Sequence, residues 1–438
     1  MKKTIFLIER TNDLRFFASI IESFQDKGKK IELVYFNIYE NSKGFKYYLN
    51  PKNLKTKTIA KIKIIKIENK IKLHNFFLKN IKDISFIFSL TFLSNKRFLI
   101  TTQFLKIIDK KWCVVSHGQD SFSQFKDEDT YINYSPNFFF SSKSLFKEGK
   151  EYLKNFSKGK NILDANKTKI YFVGNTMFSK KVFSKKPNKK KSLIYLPFPF
   201  LRERYKNNFA FQAAYSGKDI DYFLYSRKLH KKSLTKSILS QIKHNLLNII
   251  EIIKHYKSIK NYYLFENELN VIKTIKKFCD KNNYEFIVKP RFKFPHIKHL
   301  GKYADKVISD NEEQQYPNLL QSEMSKADLV IGSLSSSVFE SAMFKIPYIN
   351  IEIPKIAFIS KVDSFFHNYS AEHYYNFKGV VFNYKIKDFI NHFYKESQSN
   401  LKIDFKRNNT YLKKFCGLEK NSKDCGEKIY KILHTGRK

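Results

Sequence analysis

An apolar run, a serine-rich turn and a second apolar run follow one another in the segment ADLVIGSLSSSVFESA, residues 327–342. The spacing predicts a strand that ends at Gly332, a loop of small residues and a helix that begins near Ser337. Small residues let backbone N–H groups approach a phosphate, and a helix N-terminus favours an anion. One turn into the helix, Glu340 could accept hydrogen bonds from ribose hydroxyls. A capping box of Ser337 and Glu340 explains part of the pattern, but not four serines in five positions.

Short β-branched or aromatic runs alternate with longer amphipathic stretches on both sides of this segment. Helices are predicted at 13–27, at 233–256 and in the tail 408–433. Strands are predicted at 4–8, 30–36, 62–67, 85–90, 112–116, 138–141, 170–173, 193–196, 261–265, 285–289, 327–332, 347–351 and 379–382. Such alternation is typical of βαβ units with parallel sheets. It predicts an α/β fold.

This alternation of predicted strands and helices is interrupted at a lysine-rich segment, residues 179–192, which is predicted to be a solvated linker. We therefore predict two Rossmann-like doubly wound domains that face each other across a cleft. Residues 1–180 form the first and residues 190–405 the second. A helix in residues 406–438 is expected to pack back across the domain junction.

The composition excludes several classes of protein. With 438 residues, 42% hydrophobic content, 27 Tyr and 44 Phe, the chain carries too much apolar surface for a disordered protein. Its 13 Gly and 10 Pro exclude collagen-like and low-complexity classes. No apolar run approaches the roughly 18 to 20 residues of a membrane-spanning helix. Residues 4–8 are interpreted as a first buried strand and not a signal peptide, so a cytoplasmic protein is expected.

The charge balance leaves two explanations open. The chain has 82 Lys+Arg against 40 Asp+Glu, a formal charge of +42, but only nine of its basic residues are Arg. Lysine-rich composition together with many Asn, Ile, Phe and Tyr is what A/T-rich codons produce. If the charge is functional, the protein prefers anionic surfaces such as nucleotide diphosphates, acidic glycans or anionic lipid.

Signals for a metal site are weak. The four cysteines, at positions 113, 279, 416 and 425, form no C-x-x-C pair and have no His at metal-ligand spacing. Asp219 and Asp221 form a single D-x-D in a polar, tyrosine-rich stretch. A metal-independent protein with reduced cysteines is predicted.

The serine-rich segment resembles the donor-binding signature of CDP-glycerol glycerophosphotransferases of teichoic-acid synthesis and of related GT-B glycosyltransferases. Further stretches match in the same order along the chain. They are Val115-Ser116-His117-Gly118, Val173-Gly174-Asn175-Thr176-Met177-Phe178, the strand from Leu193 to Pro197, Ile287-Val288-Lys289-Pro290-Arg291, and two stretches of the tail, Tyr411 to Phe415 and Asp424 to Ile429. The resemblance covers about residues 114–433 and implies the GT-B fold.

Three departures from the family pattern affect what is transferred. The loop lacks the Asp of the family's Asp-Tyr-Ser-Ser, and Pro290-Arg291 stands where the family has His-Pro, with His296 five residues on. Gln119-Asp120 replaces Thr-Pro after His117-Gly118. The resemblance thus favours the GT-B architecture over glycerol phosphate as the transferred group, and a CMP-, CDP- or UDP-linked sugar donor is expected as substrate, with no cofactor.

The resemblance also implies roles for individual residues. His117 is the expected base toward an acceptor hydroxyl, with Asp120 as second choice, although a capping or packing role for His117 stays open. Arg291 with Lys289 would neutralise the leaving phosphate, unless Arg291 is merely solvated. The full donor set is expected to be Gly174, Asn175, Lys289, Arg291, Ser333, Ser335, Ser336, Ser337 and Glu340.

These features favour a glycosyltransferase that moves a sugar from a nucleotide-activated donor to a bacterial surface glycan, such as a capsule, lipopolysaccharide or teichoic-acid-like acceptor. Three alternatives stay open: a CDP-glycerol-type glycerophosphotransferase, a nucleotide-sugar 2-epimerase, and a non-catalytic polyanion or nucleic-acid binder. Basic side chains on the predicted 233–256 helix would suit peripheral contact with the inner face of an anionic membrane near a lipid-linked acceptor. No nucleic-acid partner is expected for the enzyme.

Overall fold

The computed structural model describes residues 2–8, 13–36, 55–56, 62–90, 111–116, 137–156, 169–178, 183, 186–188, 190–197, 253, 257–265, 267–290, 300–308, 315–316, 319–333, 335–352, 369–418 and 424–435.

A parallel sheet organises the first half of the chain. The strands of this half are β1 (Lys3–Ile8), β2 (Lys30–Phe36), β3 (Lys55–Thr56), β4 (Lys63–Ile67), β5 (Ile84–Ser89), β6 (Trp112–Val115), β7 (Asn137–Phe140) and β8 (Lys169–Phe172). Every one except β3 follows a predicted apolar run. All but β3 join one sheet in the order β4-β2-β1-β5-β6-β7-β8, and every pairing is parallel. The order reverses direction between β1 and β5, as in a Rossmann-type sheet.

Within the described residues, three helices accompany this sheet: α1 (Leu14–Asp26), α2 (Lys70–Asn80) and α3 (Lys143–Phe156). The buried face of α1 presents Phe17 and Phe24 to the sheet, where Phe17 lies 5.3 Å from the Phe6 ring and Phe24 lies 5.7 Å from the Phe88 ring. Phe6 and Phe88 are themselves stacked at 4.9 Å. Aromatic packing of this kind fixes the helix over the strands that flank the reversal.

A second parallel sheet organises the later half. Its strands are β9 (Ser192–Leu196), β10 (Glu285–Val288), β11 (Lys306–Val307), β13 (Leu329–Gly332), β14 (Tyr348–Glu352) and β15 (Val381–Lys385), while β12 (Gln315–Tyr316) lies outside it. The order is β11-β10-β9-β13-β14-β15, so this sheet also reverses direction once, between β9 and β13. The predicted α/β class with two doubly wound sheets is confirmed.

The described helices of the later half are α4 (Ile259–Phe265), α5 (Glu268–Asn282), α6 (Leu319–Met324), α7 (Ser337–Met343), α8 (Ile386–His392), α9 (Phe405–Tyr411) and α10 (Cys425–Thr435), with a π-helical turn at Leu412–Cys416. The strand predicted at residues 261–265 is wrong, because these residues belong to α4. Ser258 explains the difference: its Oγ accepts a hydrogen bond from the Asn261 N–H at 3.0 Å and caps the first turn. The helix predicted at 233–256 lies outside the described residues apart from Ile253.

The two halves touch at several points. Strands β3 and β12, one from each half, pair in parallel. Helix α10 packs on α1, where Tyr430 lies 5.1 Å from the Phe24 ring. In the segment predicted to be a solvated linker, Phe183 instead packs against Phe178 at 4.9 Å and Phe344 at 4.7 Å. The domain limits inferred from the sequence stay a prediction.

Candidate functional site

The serine-rich loop leaves the second sheet at the point where its strand order reverses. Leu196, the last residue of β9, is in register with Gly332, the last residue of β13. In the sheet, β10 and β11 lie beyond β9 on one side, and β14 and β15 lie beyond β13 on the other. Helices that leave such a pair of strands diverge, so a crevice opens outside their carboxyl ends. Ser333 begins the loop at this crevice.

Gly332 is required by its packing. A Cβ atom at this position would collide with the hydroxyl of Tyr348, would lie 3.3 Å from Tyr348 Cζ, and would lie 3.4 Å from Leu196 Cβ. Tyr348 is fully buried on the neighbouring strand β14. The absent side chain therefore lets the loop start close above the tyrosine ring.

The loop turns into α7 through Ser335. Its Oγ accepts from the Ser337 N–H at 3.3 Å, and its carbonyl accepts from the Val338 N–H at 3.1 Å. Ser336 occupies the position before the helix and makes no side-chain cap. The capping box considered for Ser337 and Glu340 is therefore not the cap of this helix, since Ser337 already lies inside it and Ser335 supplies the accepting oxygen. Ser333, Ser335 and Ser337 are buried, and Ser336 is partly exposed.

Glu340 lies one turn into α7 and is 1% exposed. Its Oε1 accepts a hydrogen bond from Nε2 of Gln321 at 3.1 Å. Gln321 is on α6, the helix that precedes β13, and it is equally buried. A buried carboxylate needs such donors, because desolvation without them is costly. The structure thus brings Ser333, Ser335, Ser337 and Glu340 together around the end of β13.

Lys289 lies on the same edge of the sheet. It follows Val288, which is in register with Tyr195 of the central strand β9, and its N–H donates to the Tyr195 carbonyl at 2.9 Å. The side chain is 1% exposed, and its Nζ donates to the Pro290 carbonyl at 3.4 Å. Arg291, two residues further on, lies outside the described residues.

Two groups near this edge have shifted pKa values. Burial raises the pKa of the Tyr195 hydroxyl well above its usual range, and the charge of Glu268 raises it further. Burial also raises the pKa of Glu352 at the end of β14, although Lys385 on the adjacent strand partly opposes the shift. The low-dielectric surroundings that disfavour these charges also strengthen electrostatic contacts made there.

Gly174 and Asn175 lie at the junction between the halves. Gly174 has a φ of +99°, and a Cβ there would lie 2.7 Å from Cys425 Sγ. The Asn175 N–H donates to the Cys416 carbonyl at 2.7 Å, and its Oδ1 accepts from the Met177 N–H at 3.1 Å. Their described contacts are those of junction packing, and their role in donor binding stays a prediction.

The residues expected to act on the acceptor follow β6 in the first half. Ser116 is described, and its N–H donates to the Phe139 carbonyl at 3.0 Å. His117 and Asp120 come directly after it and lie outside the described residues, as do Asp219 and Asp221. Their roles stay predictions.

Sequence reasoning missed a polar pair beside the loop. Asn350 is in register with Gly332 on one side and with Asn383 on the other. Its Nδ2 donates to Asn383 Oδ1 at 2.7 Å, and Asn350 is fully buried. Asparagine is unfavourable within strands, so one Asn in the middle of each apolar run was the available signal. Gln321 was missed as well, because nothing in the sequence near it marks a site.

Among the described residues, no group of three or more His, Cys, Asp or Glu side chains is arranged to hold a metal ion. Metal independence stays a prediction. None of the helices in the described part of the chain has both the length and the apolarity needed to cross a bilayer.

Comparison with known proteins supports the fold. No protein-family model matches the chain, and no curated protein sequence matches it. Two structures of variants of the wall teichoic acid polymerase TagF superpose with a TM-score of 0.50, at 10% and 11% identity, over 99% of this chain and 89% of theirs. A UDP-GlcNAc 2-epimerase from Methanocaldococcus jannaschii covers 100% of both chains at 14% identity, with a TM-score of 0.41. The likeness to TagF shows that this chain has the GT-B-like fold.

Proposed function

We propose that this protein is a GT-B glycosyltransferase that moves a sugar from a nucleotide-activated donor to a bacterial surface glycan. The observation that carries the proposal is the serine-rich loop at the strand-order reversal of the second sheet. In open α/β sheets, ligands bind in the crevice at this point. The loop offers hydroxyls and, through Gly332, close backbone approach, which suits a phosphate.

The second half would hold the donor. Hydroxyls of Ser333, Ser335 and Ser336 would donate to phosphate oxygens, and Glu340 would accept from the ribose hydroxyls. Lys289, on the same edge, would offset the charge that develops on the leaving phosphate. Arg291 would add a second cation, and its planar fork suits a phosphate.

The first half would hold the acceptor. His117 would take the proton of the attacking hydroxyl, with Asp120 as the second choice of base. Closure of the two halves around the reactants would exclude water, so that transfer outcompetes hydrolysis. The proposal includes peripheral contact with an anionic membrane, which would bring a lipid-linked acceptor to the first half of the chain.

The second candidate is a CDP-glycerol-type glycerophosphotransferase. The resemblance of the serine-rich loop to that family favours it, and it would keep every residue role while changing the transferred group. A nucleotide-sugar 2-epimerase would use the same donor loop without any acceptor. A polyanion binder would not need the loop.

One experiment tests for the donor site that the enzyme candidates share and separates them from the polyanion binder. The thermal unfolding midpoint is measured with CMP, CDP, UDP, GDP and their sugar or glycerol conjugates at moderate salt. A ligand at about 100 times its Kd adds roughly 2.7 kcal/mol of stability, so the proposal expects a selective shift with one nucleotide. If no nucleotide shifted the unfolding midpoint, while any polyanion bound in a salt-sensitive manner, the proposal would be overturned.

Variants assign the roles. We expect His117→Ala to abolish transfer while sparing donor binding, and Glu340→Ala to weaken donor binding. Ser335→Ala should also weaken donor binding. Ser399→Ala is its matched control, because Ser399 lies on an exposed turn and its Oγ contacts Ser397 Oγ at 2.8 Å. Full transfer activity in His117→Ala would remove that residue from the mechanism.

A further inference from the structure

We propose that Gln321 is a positioning residue for donor recognition and acts by orienting the carboxylate of Glu340 toward the hydroxyls of the donor ribose. The inference rests on the proposed function and adds a residue that the sequence motif does not contain. It begins from the buried contact between Gln321 Nε2 and Glu340 Oε1, which are 3.1 Å apart. Both side chains are 1% exposed.

The contact links the two helices on either side of β13 in the chain. Gln321 lies in the middle of α6, which leads into the strand, and Glu340 lies in α7, which leaves it through the serine loop. A glutamate side chain has three rotatable bonds, and a hydrogen bond from a fixed neighbour restricts them. Gln321 therefore holds the carboxylate in one orientation before a ligand arrives, which lowers the cost of binding.

The chemistry of the amide suits this task. A carboxylate can accept about four hydrogen bonds, so donation from Gln321 is compatible with further donors to the same carboxylate. A lysine or arginine at position 321 would neutralise the carboxylate, whereas the amide donates and leaves the negative charge in place. A charged acceptor forms stronger hydrogen bonds with hydroxyl donors than a neutral one does. A ribose presents two adjacent hydroxyls, whereas a 2′-deoxyribose presents one.

The rival explanation is that the pair only braces two short helices. The two explanations differ in what happens to sugar discrimination. If Gln321 only braces the fold, its loss weakens the binding of ribo- and deoxyribonucleotides equally. If Gln321 orients Glu340, its loss reduces the preference for the ribonucleotide.

The experiment measures the Kd of CDP, 2′-deoxy-CDP, UDP and 2′-deoxy-UDP by calorimetry for wild type, Gln321→Met and Glu340→Gln. Methionine keeps the length of the side chain and removes the donor. We expect Gln321→Met to reduce the ribose preference roughly ten-fold, equivalent to about 1.4 kcal/mol. The matched control is Gln398→Met, because Gln398 lies on the surface, where its Oε1 accepts a hydrogen bond from Lys191 Nζ at 2.7 Å. In this control, the ratio of the Kd for the deoxyribonucleotide to the Kd for the ribonucleotide should equal that of wild type.

A second variant keeps the test decisive if Gln321→Met fails to fold. Gln321→Glu sets two carboxylates against each other, and such a pair shares a proton as the pH falls. The shared proton restores a hydrogen bond, so the ribose preference of Gln321→Glu should recover on acidification, relative to wild type at each pH. If Gln321 only stabilised the packing of the two helices, the ribose preference of Gln321→Glu relative to wild type would not depend on pH.

The outcomes separate this inference from the proposed function. If wild type binds none of CMP, CDP, UDP and GDP, the proposed function fails, and the inference fails with it. If wild type binds a nucleotide but shows no ribose preference, or if Gln321→Met keeps that preference in full, the inference alone is overturned. Loss of the preference in both Gln321→Met and Glu340→Gln supports it.

Discussion

His373 Nε2 lies 3.0 Å from Glu148 Oε1, and this pair joins the second half of the chain to helix α3 of the first. His373 is 8% exposed and Glu148 is 22% exposed. The imidazole ring also packs against Tyr374, with ring centroids 3.8 Å apart. A polar contact this sheltered costs more to break than a surface ion pair, because the remaining partner is left buried.

We therefore expect Glu148→Ala to lower the free energy of unfolding by about 1–3 kcal/mol, since His373 loses its partner. Urea denaturation measures the change. Glu151→Ala on the exposed side of the same helix is the control and should have little effect. Equal stability of the two variants would show that the contact contributes nothing to the junction.

Gly332→Ala tests the packing beneath the serine loop. Its Cβ meets the hydroxyl of Tyr348, so we expect a loss of about 1–3 kcal/mol of stability, together with weaker nucleotide binding. Tyr348→Phe removes the colliding atom, so the double variant should recover part of the stability. Gly301→Ala is the control, because its Cβ would have nothing within 4 Å. If adding Tyr348→Phe to Gly332→Ala restores no stability, the collision with the Tyr348 hydroxyl is not the cause of the loss.

Gly426→Ala tests the packing of α10 on α1. The added Cβ meets the carbonyl of Ser19 and lies 2.6 Å from Ser23 Oγ. Backbone cannot move aside cheaply, so we expect a loss of about 3 kcal/mol and faster hydrogen exchange in α1. Unchanged exchange in α1 would contradict the close approach of the two helices.

Asp305 gives a pH dependence whose direction follows from its contacts. Burial raises its pKa, but the Phe286 N–H at 2.8 Å and the Lys276 ammonium together outweigh burial, and the pKa lies below its usual value. Because the folded-state pKa is depressed, the stabilisation is present above the unfolded pKa of about 3.9 and is lost as the pH falls through the folded value.

The stability difference between wild type and Asp305→Asn should thus be about 1 kcal/mol near neutral pH and should shrink below about pH 4. Chemical denaturation at several pH values measures it. Asp280→Asn is the control, because it removes a carboxylate that contacts Lys276 at 2.8 Å and leaves the Phe286 N–H bonded to Asp305. If the stability difference between wild type and Asp305→Asn grew on acidification, the pKa of Asp305 in the folded protein would be raised and not lowered.

Most of the fold could be predicted because its strands are buried on both faces and appear as short apolar runs, such as residues 193–196 and 348–352. Residues 261–265 were one exception. Another was the tail predicted as one helix over residues 408–433, which divides into α9, the π-helical turn and α10, with a left-handed Gly417 after the turn. The sequence NYYLF of residues 261–265 favours a strand by composition, and a run of five residues is too short for periodicity to distinguish a strand from a helix. The Ser258 cap decided the matter, and a single serine before an aromatic run is a weak signal.

The candidate site was predictable in part. A strand end followed by small residues locates the loop at one sheet edge, since parallel strands share that edge. The contact of Gln321 with Glu340 was not predictable, because it joins residues on two helices separated by a strand. The same applies to Asn350 and Asn383, whose neighbourhood depends on the order of the strands.

The packing of α10 on α1 also has a consequence for synthesis. Helix α1 emerges early from the ribosome, whereas residues 425–435 are the last described element to be made. At about 5–20 residues per second, the interval between them is on the order of tens of seconds. Throughout it, the surface of α1 around Ser19 and Phe24 has no α10 to cover it. The nascent first half should therefore be a chaperone client until α10 has been synthesised.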